Sequence, residues 1–102
     1  VNPVVVLTTT EKREDAVSLA SLLVENRLAA CVNLFPVESF YRWEGEVQRS
    51  TEYKLIIKTA EEKWTKLQSF LHEHHPYSVP EMTKVNTEMS ESYLAWLANS
   101  LT

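Results

Sequence analysis

Residues 28–58 read LAACVNLFPVESFYRWEGEVQRSTEYKLIIK, and this stretch decides the fold. Its first eight residues alternate, with Ala30, Val32 and Leu34 on one side and Cys31, Asn33 and Phe35 on the other, the two-residue period of a strand. Pro36 has no N–H to give to a ladder, so the pattern predicts a bulge or bend there, with the strand resuming through Ser39, Phe40, Tyr41, Arg42 and Trp43. Glu44 and Gly45 follow as a tight turn, which places the chain's only glycine where positive φ is most useful. The return strand over 46–58 sets Tyr53, Leu55 and Ile57 on one face and Lys54, Ile56 and Lys58 on the other. The middle of the chain is one long β-hairpin.

Upstream, Val4, Val5, Val6 and Leu7 form a β-branched run after Pro3, short enough for a buried strand and bounded by Thr8, Thr9 and Thr10. Ala16, Leu19, Ala20 and Leu23 then recur at helical spacing up to about Asn26, with Glu11, Glu14 and Asp15 gathered where a helix N-terminus favours negative charge. Downstream, Thr59 and Glu62 have capping-box spacing and predict a second helix bearing Trp64, Leu67 and Leu71. That helix stops at His75, because Pro76 disfavours helical geometry in the residue before it. A short strand over 82–87 follows Pro80, and Ser90 is placed to cap a last helix carrying Tyr93, Leu94, Leu97 and Leu101. The order is an α+β ferredoxin-like βαββαβ sandwich with a C-terminal helix. Two short helices cannot cover so long a hairpin. Phe40, Tyr41 and Trp43 near its tip are therefore expected to contact other copies in a homo-oligomer.

Composition narrows the possible roles. The chain has 102 residues and forms one domain over 1–102. A protein of its mass should expose roughly 5,900 Å² folded against roughly 17,000 Å² unfolded, which is room for a core without staples. Its lone cysteine, Cys31, cannot form an internal disulfide and reads as a small buried hydrophobe, and Trp64 and Trp96 read as core on their helical stripes. Net charge is −4, with 14 acidic against 10 basic residues and no basic cluster, so no nucleic acid partner is expected. The longest apolar run is about five residues against the roughly 20 that span a bilayer, so no membrane segment is expected, nor a signal peptide. Val1 in place of Met leaves room for an upstream segment removed in processing. One glycine, where average usage gives roughly seven, excludes glycine-rich phosphate loops and obliges most turns to form without it.

Five strings carry a resemblance: LAACVN at 28–33, SFYRWEG at 39–45, Lys58 with Thr59, HPYSVPE at 75–81, and YLAWL at 93–97. In this order they resemble the CutA divalent-cation-tolerance family over nearly the whole chain. The resemblance implies a trimeric ferredoxin-like protein, similar in architecture to PII-type signalling proteins. It also implies a mostly cytoplasmic location and a link to copper and other divalent ions, with no settled enzymatic activity. Some members carry a cysteine at the end of the first strand as a proposed metal ligand, where this chain has Thr8, and often a glycine before the last helix, where it has Ser90.

His72, His74 and His75 are the only histidines and fall together at the end of the second predicted helix. Imidazole suits Cu²⁺, so His74 and His75 are the candidate metal ligands, with Cys31 or Glu73 as a possible third. The plainer alternative is a solvated, favourably charged helix end. Trp43, Glu52, Lys58, Tyr77 and Glu81 are candidate cleft residues, for the resemblance places matching positions near clefts between subunits. They would hold a small molecule or a protein partner, or else serve as ion pairs between copies. Asp15 is the only aspartate and no Ser or Cys is joined to a His by a motif, so no catalytic residue is assigned and the chain is read as not an enzyme.

Overall fold

Four strands and three helices make up the chain in a computed structural model that describes residues 1–102. They are β1 (Pro3–Thr10), α1 (Arg13–Glu25), β2 (Cys31–Trp43), β3 (Glu46–Ala60), α2 (Trp64–His74), β4 (Thr83–Asn86) and α3 (Glu91–Ser100). A 3-10 turn, Glu61–Lys63, leads into α2. The sheet order is β2-β3-β1-β4 with every neighbouring pair antiparallel, which is the ferredoxin-like topology with an added C-terminal helix.

Alternation builds the core. Val4 and Val6 of β1 and Leu55 and Ile57 of β3 share the face that meets Ala16, Leu19 and Leu23 of α1 and Leu67 and Leu71 of α2. Each large side chain buried there stabilises by about 1.5–3 kcal/mol. The same face continues into Thr8 and Thr10, so β1 runs on through the threonines expected to bound it. Thr10 Oγ1 donates to Lys12 O at 2.9 Å, whereas Thr8 Oγ1 is buried with no partner.

Two turns are made by residues other than glycine in left-handed conformation. After α1, Arg27 has φ 57°, and the N–H groups of Arg27 and Leu28 donate back to Val24 O and Leu23 O, a Schellman closure. At the hairpin tip Glu44 (φ 50°) and Gly45 (φ 80°) both have positive φ, the type I′ geometry whose twist suits a two-residue hairpin.

Two local expectations are corrected. Pro36 makes no bulge: the β2–β3 register is unbroken from Cys31↔Lys58 through Pro36↔Tyr53 to Trp43↔Glu46. The reason is position, since β2 is an edge strand and a residue lacking an N–H is tolerated there. The Thr59–Glu62 capping box does not form either. Thr59 is held in β3 opposite Val4, and its buried hydroxyl donates to Leu28 O at 2.7 Å. Ser90 does stand at the N-cap of α3, but by its backbone only, without a side-chain bond.

The opposite face of the sheet is covered at one end only. There Leu97 and Leu101 of α3 pack on Ala60, with Tyr93 and Leu94 beside them. Farther along, Val5, Leu7 and Ile56 are half-buried and Phe35 and Val85 are exposed. Trp96 is exposed on α3 and Trp64 is half-buried, so neither tryptophan belongs to the core proper. Cys31 is likewise half-buried rather than enclosed.

The hairpin outruns its support. β1 pairs with β3 only from Tyr53 to Ala60, so residues 46–52 and their partners 37–43 continue as a two-stranded ribbon for roughly 23 Å. The molecule measures 45 × 24 × 21 Å, and its accessible surface of 6335 Å² exceeds the roughly 5,900 Å² of a compact monomer of its mass.

Candidate functional site

Where the ribbon leaves the sheet, a cleft of about 820 Å³ opens on the face turned away from α1 and α2. Strand period puts Ser50, Glu52 and Lys54 of β3 on this side, across from Ser39, Val37 and Phe35 of β2. Thr9 and Glu11 close one end, Tyr41 and Trp43 rise along the ribbon, and the segment from Tyr77 to Glu81 forms the remaining wall.

Two contacts bind that segment to β3. The Tyr77 hydroxyl donates to Glu52 Oε2 at 2.6 Å, and Lys54 Nζ is 2.9 Å from Glu81 Oε1. Glu52 is only 7% exposed and makes no salt bridge, which is unusual for a carboxylate. Burial first, and then the bond to Glu52 and its negative charge, push the Tyr77 phenol above its ordinary range, so it stays a donor.

His75 anchors the same segment from behind. Its Nδ1 accepts the Tyr77 N–H at 3.1 Å, which leaves the proton on Nε2 to be donated to Thr9 O at 2.8 Å. Both ring nitrogens are thus committed to backbone. Burial lowers the His75 pKa below 6.5, against the raising pull of the Thr9 bond and of Asp15 and Glu52.

The structure therefore separates the two histidines proposed as a metal pair. His75 is buried and serves the fold, while His74 is exposed with its ring 4.2 Å from that of Phe70, and His72 is exposed as well. No three His, Cys, Asp or Glu side chains converge on a point that could hold a metal ion, so neither Cys31 nor Glu73 completes a site.

Of the five candidate cleft residues, Trp43, Glu52, Tyr77 and Glu81 do line one cavity. Lys58 does not. It lies across from Cys31, with Nζ 5.8 Å from the Tyr93 ring centroid under α3, and the lysine of the cleft is Lys54. Lys54 and Lys58 fall on the same face of β3, so alternation alone could not choose between them. The Lys54–Glu81 pair is the contact that decides.

The chain matches the family model described as CutA1 divalent ion tolerance protein over residues 4–100. It belongs to the CutA1 family. It is 44% identical to the divalent-cation tolerance protein CutA of Thermus thermophilus over 95 residues, which cover 91% of this chain and 92% of that one. It is 43% identical to the chloroplastic protein CutA of Arabidopsis thaliana over 95% of its own length, but spans only 54% of that relative. Among solved structures, CutA of Synechococcus elongatus superposes with a TM-score of 0.96 at 38% identity, covering 99% of this chain and 91% of that one. CutA1 of Oryza sativa gives 0.95 at 39% identity, covering 100% and 95%. The CutA1 relatives thus share the whole fold, α3 and the long hairpin included.

Proposed function

We propose that the chain acts as a homotrimer in cellular tolerance of divalent metal ions, copper among them, without catalytic chemistry of its own. The observation that carries the assembly is the overhanging ribbon. Phe40 is 65%, Trp43 49% and Val47 67% exposed, on two strands that pair with nothing but each other. An isolated two-stranded ribbon is marginal in water, so the form is sustained by a partner surface. A second copy supplies one: the open sheet face offers Phe35 and Val85 beside half-buried Leu7 and Ile56. Ribbon on sheet face is a contact between unlike surfaces, which makes a ring where the rotation between copies closes, and the family resemblance supplies a three-membered one. Sedimentation velocity at micromolar concentration should give three times the 11.8 kDa protomer mass, and a monomer there would refute the assembly.

For the metal, the imidazole to test is that of His74, which is exposed and makes no hydrogen bond. Neutral imidazole is a good ligand for Cu²⁺. Cu²⁺ calorimetry on wild type and His74→Ala should show weaker binding in the variant, and superimposable isotherms would remove this residue from the proposal. The cytoplasm is the proposed compartment, following the family resemblance. One solved relative, from Archaeoglobus fulgidus, is described as periplasmic, so cell fractionation is the direct test.

A further inference from the structure

The helical side of the molecule carries a groove that the assembly leaves open. α1 and α2 cover the side of the sheet opposite to the one given to the second copy, and between the end of α1 and the length of α2 lies a hollow of about 410 Å³. That volume is within the range of small-molecule sites. The chain path creates it. The Schellman closure at Arg27 turns the backbone toward the sheet, and the buried Thr59 hydroxyl then holds the Leu28 carbonyl at 2.7 Å. The turn is thereby pinned where β3 leads into α2, and Asn26 and Leu28 form one wall of the hollow.

The opposite wall is one face of α2. Lys66, Phe70 and Glu73 recur at i, i+4 and i+7, so they stand in a row, with Thr65 beside Lys66. The middle of the hollow is apolar, since Leu28 is 8% exposed and Phe70 is half-buried. The ends of the row are charged and of opposite sign. Neither end has an ion-pair partner in the chain, and seven residues of helix set them about 10.5 Å apart, beyond the three or four residues at which helix neighbours pair.

Cation, apolar strip and anion, in that order, are complementary to a zwitterion whose charges are separated by an alkyl chain. One exposed charge alone contributes little, because water and salt screen it. Two charges at a set spacing, with methylenes taken out of water between them, act together on a single ligand. An α-amino acid does not meet this requirement, since it carries both charges on one carbon atom. We propose that the groove between α1 and α2 binds a small ω-amino carboxylate, with its carboxylate at Lys66 and Thr65, its ammonium at Glu73 and its alkyl chain across Phe70 and Leu28. This goes beyond the metal-tolerance reading and does not rest on it, because no histidine is used and every group belongs to one chain, on a face that the second copy does not occupy.

6-Aminohexanoate is the probe, and hexanoate and protonated hexylamine, each keeping one of its charges, are the controls. An NMR titration of the isotope-labelled, assembled protein should give saturable shifts at the amides of Leu28, Ser69 and Phe70, with the zwitterion binding at least fivefold more tightly than either control. Lys66→Gln should reduce 6-aminohexanoate to the affinity of hexylamine, and Glu73→Gln should reduce it to that of hexanoate. Both positions are exposed on α2, and far-UV circular dichroism checks that the variants fold. The comparison of the three compounds needs wild type alone, so a misfolded variant does not shield the proposal. No saturable shift at these amides, equal affinity for the three compounds, or unchanged affinity in either folded variant overturns it. Sedimentation and Cu²⁺ calorimetry test the trimer and the metal separately, so failure of this site is told apart from failure of those readings.

Discussion

The two halves of the β2–β3 hairpin are one continuous ladder with two different environments. In the inner half, residues 53–60 of β3 have β2 on one side and β1 on the other, and Leu55 and Ile57 are wholly enclosed by α1 and α2. In the outer half, Phe40, Trp43 and Val47 are about half exposed or more. Hydrogen-bond register alone does not distinguish them, since the pairing runs without a break through Pro36. What differs is the number of layers. The inner half is held by burial within one chain, and the outer half depends on whatever it lies against.

The sharpest break in that comparison comes from truncating one residue in each half. Leu55→Ala removes a fully buried side chain from the centre of the core and should cost about 2–5 kcal/mol of protomer stability by chemical denaturation. Trp43→Ala should leave protomer stability nearly unchanged and weaken association, by about 1.5–3 kcal/mol per contact. Dilution followed by sedimentation would show it. If Trp43→Ala unfolds the protomer as readily as Leu55→Ala does, the two halves are energetically alike and the comparison fails.

The segment that joins the halves predicts a pH effect. His75 is neutral and buried with its pKa lowered by that burial, so the unfolded chain takes up a proton below about pH 6.5 that the native state resists. Stability attributable to this group is intact above pH 6.5 and falls as pH drops below it, by at most about 1.4 kcal/mol per pH unit for a single proton. Protonation also removes the Nδ1 acceptor used by the Tyr77 N–H, so the loss should begin in the segment that walls the cleft. Denaturation at pH 7, 6 and 5 should show the slope in wild type and a flatter one in His75→Gln, which keeps a donor for Thr9 O. Equal slopes would clear His75 of the effect.

What could be read from the sequence follows the same division. The alternation of 46–58 located Leu55 and Ile57 correctly because those residues face one partner, the core, and burial imposes the period. The hairpin turn and the stop of α2, read at His75 and found with His75 as the C-cap after His74, were legible for a similar reason, since glycine and proline act locally. The Thr59–Glu62 cap and the Pro36 bulge were misread because tertiary placement overrode local chemistry, by sheet pairing in one case and an edge position in the other. The cleft was half legible. Trp43, Glu52, Tyr77 and Glu81 were gathered through a family resemblance, whereas choosing Lys54 over Lys58 needed the crossing of a loop that sequence spacing does not encode. His74 and His75 are adjacent in sequence and opposite in environment, and what separates them is the burial of His75 and its bonds to Thr9 O, far away along the chain, and to the Tyr77 N–H.

Even the well-covered half contains one flaw, which sets the smallest expected effect. Thr8 is fully buried beside Val6 and opposite Leu55, and its Oγ1 is the one buried side-chain polar atom without a partner. An unsatisfied buried hydroxyl costs roughly 1–3 kcal/mol relative to a satisfied one, while the space it occupies is already that of a β-branched side chain. Thr8→Val keeps the shape and the strand preference and removes only the orphan, so it should raise stability by about 1 kcal/mol, read as a higher denaturation midpoint with an unchanged slope. Because the site is in the inner half, the sedimentation of the protein should not move. A destabilised Thr8→Val would mean that the hydroxyl finds a partner inside the core, such as an enclosed water or a nearby carbonyl.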